Sequence, residues 1–235
     1  MDKSDVFFQV IRERRSVRKF SETPFPNAYV ERALEAAIHA PNSSNTQTWD
    51  FYWFLSPHLK RRAVELLFKQ SAARTANHLI AIVADPDLWK RSQSDLIDWV
   101  EAANAPKPVH TYYKRLIPSL YRRDPLGVFS LLRWFTFRIT SLLRPSAQGP
   151  STLRDLQEIA IKSAALAAEN FALAITAQGG ATCMMEGFDE KRMKRLLKLK
   201  RSARIVMVIA VGYVGERPFW GPQRRLPLSE VVHRL

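Results

Sequence analysis

The stretch LQEIAIKSAALAAENFALAITAQ, residues 156–178, constrains this chain more than any other. It runs 23 residues without proline or glycine, is rich in alanine, and is followed by Gly179 and Gly180. That pattern predicts one long helix stopped by a glycine pair, with Thr152 and Asp155 as its start signal. So many small side chains let neighbouring backbones approach closely, so the helix suits the centre of a core or a subunit interface. The remaining elements must therefore be arranged to cover it.

Four apolar runs are available to do so. WDFYWFL, HLIAIVAD, ATCMMEG and ARIVMVIAVGYVG read as strands, the last being the longest. Helices are predicted from about Asp5 to Arg14, over AYVERALEAAIHA with Asn27 as N-cap and Pro41 as stop, over LKRRAVELLFKQ, and over DEKRMKRLLKL capped by Asp189. The cations between Lys191 and Arg204 read as a solvated helix face. Residues from about 86 to 150 read as an insertion in a single domain spanning 1–235. They are dense in proline and aromatics, and from Lys107 to Arg144 hold eight cations against Asp124.

Within the insertion, LGVFSLLRWFTFRITSLL at 126–143 is interrupted by Arg133 and Arg138, which argues against a membrane span. At 100° per residue, Val128, Leu131, Leu132, Phe135, Ile139, Leu142 and Leu143 share one face, opposite Arg133, Thr140, Ser141 and Arg144. The expectation is an amphipathic helix packed on its own domain, with a membrane surface or a partner or substrate lid as the alternatives. Tyr112, Tyr113, Tyr121, Trp134 and Phe137 read as core or as walls of a pocket.

The net charge of +14, from 36 Lys and Arg against 22 Asp and Glu, favours anionic partners without choosing one. Cys183 stands alone, which excludes an intrachain disulfide; in an apolar strand it reads as a buried, inert thiol. The opening MDKSDVFFQVIRERR has no long apolar core, so a cytoplasmic location is expected, with peripheral membrane contact through 107–144 as a further expectation. No nucleophile elbow, zinc helix, phosphate loop or dinucleotide turn occurs, and the five histidines lack ligand spacing, so no metal site is expected. With no evident catalytic side chain, the expectation is a cofactor that carries the reactivity.

Four segments fit a phosphate-bearing aromatic cofactor. RRSVR offers guanidinium forks and a hydroxyl, and an extended backbone there would send Arg14, Ser16 and Arg18 one way and Arg15 the other. PNSSNTQTW places Asn45 in a loop before a strand, MMEGF ends a strand on a glycine, and RRLP supplies late arginines. RRSVRKF, APNSSNTQTW, AALAAENFALAITAQGGATCMMEGFD and RRLPLSEVV, in this order, resemble the nitroreductase family of flavin-dependent oxidoreductases.

The resemblance implies an α+β, nitroreductase-like fold: a central, largely antiparallel sheet flanked by helices, built as an intertwined homodimer with FMN at the interface. It implies flavin contacts from Arg14, Arg15, Ser16 and Arg18, amide contacts from Asn45 and Gln47, a ring-lining segment at Glu186 and Gly187, and phosphate-binding arginines at Arg224 and Arg225. NAD(P)H would be the hydride donor and a nitro compound, quinone or similar small electrophile the acceptor. Dehalogenation, desaturation or flavin breakdown remain open as other flavin chemistry, as does a basic protein that binds a membrane or, less readily, nucleic acid.

Overall fold

A computed structural model describes residues 2–122, 128–146 and 149–235. Asp124 and Pro125, and the first two residues of the 126–143 stretch, lie outside the described residues. The chain opens with α1 (Lys3–Glu13) and α2 (Asn27–Ile38), then β1 (Trp49–Trp53), α3 (Pro57–Leu66), α4 (Ser71–Thr75) and β2 (His78–Ala84). The segment read as an insertion is helical: α5 (Trp89–Ala102), α6 (Lys107–Thr111), α7 (Ile117–Tyr121) and α8 (Val128–Leu143). There follow α9 (Leu153–Ala177), β3 (Ala181–Met185), α10 (Glu190–Leu196), β4 (Arg204–Gly212) and α11 (Leu228–Val231).

The strands form one antiparallel sheet in the order β1-β2-β4-β3. Its two faces follow the period of two along each strand. Leu79, Ala81 and Val83 of β2, with Val208 and Ala210 of β4, face Ala63, Leu67 and Met193 from the α3, α4 and α10 side. Ile80 and Ile82, with Met207, Ile209 and Val211, face Val30, Ala33 and Ala37 of α2 and Ala160, Ala164, Ala167, Ala168 and Phe171 of α9. Both central strands are thus covered on both sides, which is why β4 is an unbroken apolar run. The alanines of α9 let it lie between α2 and the sheet.

That helix is long and apolar enough to cross a membrane, yet it is the core helix here. Its start is a reciprocal cap: the Thr152 hydroxyl accepts from the Asp155 N–H at 3.2 Å, and the Asp155 carboxylate accepts from the Thr152 N–H at 2.9 Å. Asp189 caps α10 by accepting from the Arg192 N–H at 2.9 Å. Asn27 differs from expectation: it is the first helical residue, and Pro26 takes the cap position because its extended backbone, φ −63°, already sets the entry angle.

The expectation for α8 is overturned. None of its residues is buried, and the apolar face points away from the protein. The physical reason is Arg133, on the polar face, which donates to the carbonyls of Ser119 at 2.7 Å, Arg122 at 2.9 Å and Ser151 at 3.4 Å. Those bonds hold the polar side inward. The first half of the insertion has its own small core of Trp89, Ile117, Tyr121 and Leu156, against which Tyr112 and Tyr113 pack.

Candidate functional site

After α1 the chain straightens along the edge of the sheet. Ser16 bridges Thr182 as a parallel neighbour of β3, and the Val17 N–H donates to the Thr182 carbonyl at 2.9 Å. Buried Val17 and Phe20 anchor the segment, and the Gly215 N–H closes it by donating to the Lys19 carbonyl at 3.0 Å. A Cβ on Gly215 would lie 2.7 Å from the Phe20 carbonyl carbon, so this approach of two backbones requires glycine.

Arg14 sits at the end of α1 with Nε 3.5 Å from Oε1 of Glu169 on α9. Arg15 donates from Nη2 to the Gly221 carbonyl at 2.6 Å and stacks 3.7 Å from the Phe219 ring centroid. The Arg18 guanidinium lies 5.1 Å from the Trp220 ring centroid, with Nη1 3.7 Å from Cys183 Sγ. Arg15 and Arg18 therefore both meet the segment at 218–221, rather than alternating as the extended pattern predicts. Ser16 is exposed. Among the described residues neither Arg15 nor Arg18 has a carboxylate partner, so two half-buried cations beside the same segment keep donors to spare. Burial pushes the Cys183 thiol up and Arg18 only partly offsets it, which keeps the sulfur protonated and unsuited to nucleophilic attack.

The loop before β1 is held in an unusual backbone. Ser44, Asn45 and Gln47 have φ of 55°, 51° and 47°. Three left-handed, non-glycine residues in four positions persist only where surrounding contacts fix them. Those contacts come from two sources. Within the loop, the Gln47 N–H donates to Asn42 Oδ1 at 2.9 Å and the Thr46 hydroxyl to the Ser43 carbonyl at 2.8 Å. From the insertion, the Ser92 hydroxyl donates to the Thr46 carbonyl at 2.6 Å, Arg91 donates to the carbonyls of Gln47 and Trp49 and pairs with Asp50, and the Tyr112 hydroxyl bonds Ser44 Oγ. The result leaves the Asn45 side chain exposed at the mouth of the loop. Arg91, Ser92 and Tyr112 as clamps were not legible in the sequence, because each acts on residues at least 41 positions away.

Glu186 and Gly187 are exposed just past β3, on the same edge as Arg18, and the Gly187 carbonyl accepts from Gln70 Nε2 at 2.7 Å. From Cys183 to Glu186 is about 10 Å of extended chain, comparable to a tricyclic ring. Asn45 and Gln47 precede β1, at the opposite edge of the sheet and three strand spacings, roughly 14 Å, away. Arg224 and Arg225 lie on the exposed C-terminal segment, where Arg225 Nη1 donates to the Arg224 carbonyl at 2.8 Å. A cleft of about 250 Å³ opens beside Arg15, lined by Glu13, Val17, Thr176, Gly179, Ala181 and Phe219. Asn45, Gln47, Glu186, Arg224 and Arg225 lie outside it. Among the described residues no cluster of three or more His, Cys, Asp or Glu is placed to hold a metal ion.

Comparison with known proteins gives a consistent answer. The nitroreductase family model matches residues 11–213. The chain is 31% identical over 206 residues to Protein DrgA of Synechocystis, covering 87% of this chain and 82% of that one. It is 25% identical over 237 residues to a Thermus thermophilus protein named NADH dehydrogenase, covering 94% and 91%. A solved structure from Exiguobacterium sibiricum, described as a nitroreductase in complex with FMN, superposes with a TM-score of 0.72 at 20% identity, covering 97% of each chain. The chain belongs to the nitroreductase family and, with relatives named NADH dehydrogenase and NAD(P)H nitroreductase, is an FMN-dependent oxidoreductase.

Proposed function

We propose that the protein is a cytoplasmic reductase that holds FMN between two copies of itself and passes hydride from NAD(P)H to a small electrophilic acceptor such as a quinone or nitro compound. The observation that carries this reading is the pair Arg15 and Arg18, half-buried, held by the Cys183 sulfur of β3 and the segment at 219–221, and without a carboxylate partner among the described residues. Such a pair suits an anionic ligand with an aromatic body. FMN is one: when bound it supplies the two-electron chemistry.

The chain's own residues then have distinct tasks. Arg18 would hold fixed positive charge beside the ring, where it would favour the reduced, anionic form. Glu186 and Gly187 would line the ring along the β3 edge. Asn45, held by its strained loop, offers an amide to the heterocycle, with Gln47 beside it. Arg224 and Arg225, with Arg14 and Ser16, complete the phosphate end. Because Asn45 and Arg18 belong to opposite edges of one sheet, a ring touching both draws Asn45 from one copy and Arg18 from the other. Exposed Val6, Phe7, Phe8 and Ile11 of α1, and Leu166 of α9, supply apolar surface for that second copy.

The test is anaerobic titration of the purified, yellow protein with NADH and with NADPH. The flavin absorbance should bleach with one equivalent per flavin and return on addition of a quinone or nitroarene. A colourless protein that oxidises neither nicotinamide would overturn the reading.

A further inference from the structure

Helix α8 presents the wrong side to water. Val128, Leu131, Leu132, Phe135, Ile139, Leu142 and Leu143 fall in an arc of about 120°. All seven are between 50% and 85% exposed. On the opposite side Ser130, Thr140 and Ser141 are half-buried, and Arg133 is tied to the carbonyls of Ser119, Arg122 and Ser151. A surface helix of a soluble protein does the reverse. Here the inward hydrogen bonds fix the rotation of the helix, so the apolar arc is aimed outward by the fold itself.

The surroundings of the arc say what covers it. There is no Asp or Glu in Val128–Leu143. Exposed Arg138 stands at the margin of the arc, 5.6 Å from the Trp134 ring centroid; exposed Arg122 lies 5.9 Å from the Phe129 ring centroid; and exposed Arg144 follows the last turn. An apolar stripe rimmed by arginine and amphipathic tryptophan matches the boundary between acyl chains and anionic headgroups. We propose that α8 seats the protein on an anionic phospholipid surface, with the seven apolar side chains in the acyl boundary and Arg122, Arg138 and Arg144 among the headgroups.

A second copy of this chain is the less suitable cover, for two reasons. Bringing α8 against its own copy would set these arginines against each other, in a chain already at +14. And α8 is tied near the start of α9, about 24 Å along that helix from Glu169, where Arg14 of α1 docks. The patch is therefore separate from the α1 and Leu166 surface assigned to the flavin dimer. The inference does not depend on which acceptor the enzyme reduces.

Sedimentation of the flavin-loaded protein with phosphatidylcholine vesicles, with and without phosphatidylglycerol, tests it. The expected result is binding only to the anionic vesicles, weakened at least about tenfold in the triple variant Leu132→Asp, Phe135→Asp, Ile139→Asp, with flavin content and solution mass unchanged. Three results would each overturn the proposal: the unaltered protein stays in the supernatant; the triple variant binds as well as the parent, which would mean diffuse charge attraction; or the variant changes solution mass, which would make the patch a contact between copies. If the triple variant fails to fold, Arg138→Glu with Arg144→Glu must lower anionic-vesicle binding instead, and unchanged binding there overturns the proposal equally.

Discussion

Gly187 and Gly215 sit just beyond the ends of two neighbouring strands, yet the fold demands glycine at only one of them. A Cβ at Gly215 would press on backbone at 2.7 Å, whereas one at Gly187 would meet Gln70 Nε2 at 3.6 Å, an ordinary contact. Gly215→Ala is therefore expected to lower unfolding free energy by about 1–3 kcal/mol. Gly187→Ala should leave stability within about 0.5 kcal/mol of the parent. The same Gly187→Ala change should weaken FMN binding, because the methyl would occupy the space through which a ring approaches the backbone. Urea denaturation and flavin fluorescence titration separate the two effects, and an unaltered FMN affinity in Gly187→Ala removes that residue from the site. At this scale the sequence marks residues whose chemistry is unusual, such as Arg15, Arg18 and Asn45. It does not mark Arg91, Ser92 or Tyr112, whose role is to hold a distant loop.

Among the elements, α9 shows how local chemistry and tertiary packing share the work. Its start depends on four residues: burial alone would raise the Asp155 carboxyl, but the N–H groups of Ser151 and Thr152, the Thr152 hydroxyl and nearby Arg154 outweigh it and hold the group below its ordinary value. A carboxylate depressed in the folded state adds stability above its unfolded value of 3.8, and that stability is lost as pH falls through the folded value. Thr152→Ala should thus cost about 1 kcal/mol at neutral pH. The gap between variant and parent should narrow once the pH drops below about 4. Chemical denaturation across pH checks this; a gap that is constant or widens would show that the Thr152 hydroxyl does not support the Asp155 carboxylate. The capping pair, the glycine stop and the apolar runs of β2 and β4 are local signals, which is why these elements were legible. The rotation of α8 was not, since hydrogen bonds from Arg133 to three carbonyls outside the helix decide it.

The whole molecule exposes more surface than a compact chain of its size. Its accessible surface is 15187 Å². A folded monomer of 27.0 kDa is expected to expose about 10,800 Å². An excess on the order of 4,000 Å² fits a chain whose arms close on a second copy. If Asn45 and Arg18 serve one flavin from different copies, a mixed dimer of an Asn45→Ala chain and an Arg18→Ala chain retains one intact site of its two, whereas each homodimer has none. Flavin binding and nicotinamide oxidation should therefore recover when the two chains are co-assembled with distinct tags. Recovery no better than either homodimer would place both side chains on the same copy.

What the sequence determined by itself is everything governed by neighbours in the chain: the apolar run of each strand, the capped and glycine-stopped core helix, and the cationic and amide segments whose order resembles a flavin enzyme. What only the tertiary structure decided is where those segments face. Opposite sheet edges carry Asn45 and Arg18, helices from the insertion clamp the loop, and inward hydrogen bonds turn the apolar side of α8 to the outside. The reason is that direction in space is set by contacts between residues eleven or more positions apart, and no local pattern records which partner each will meet.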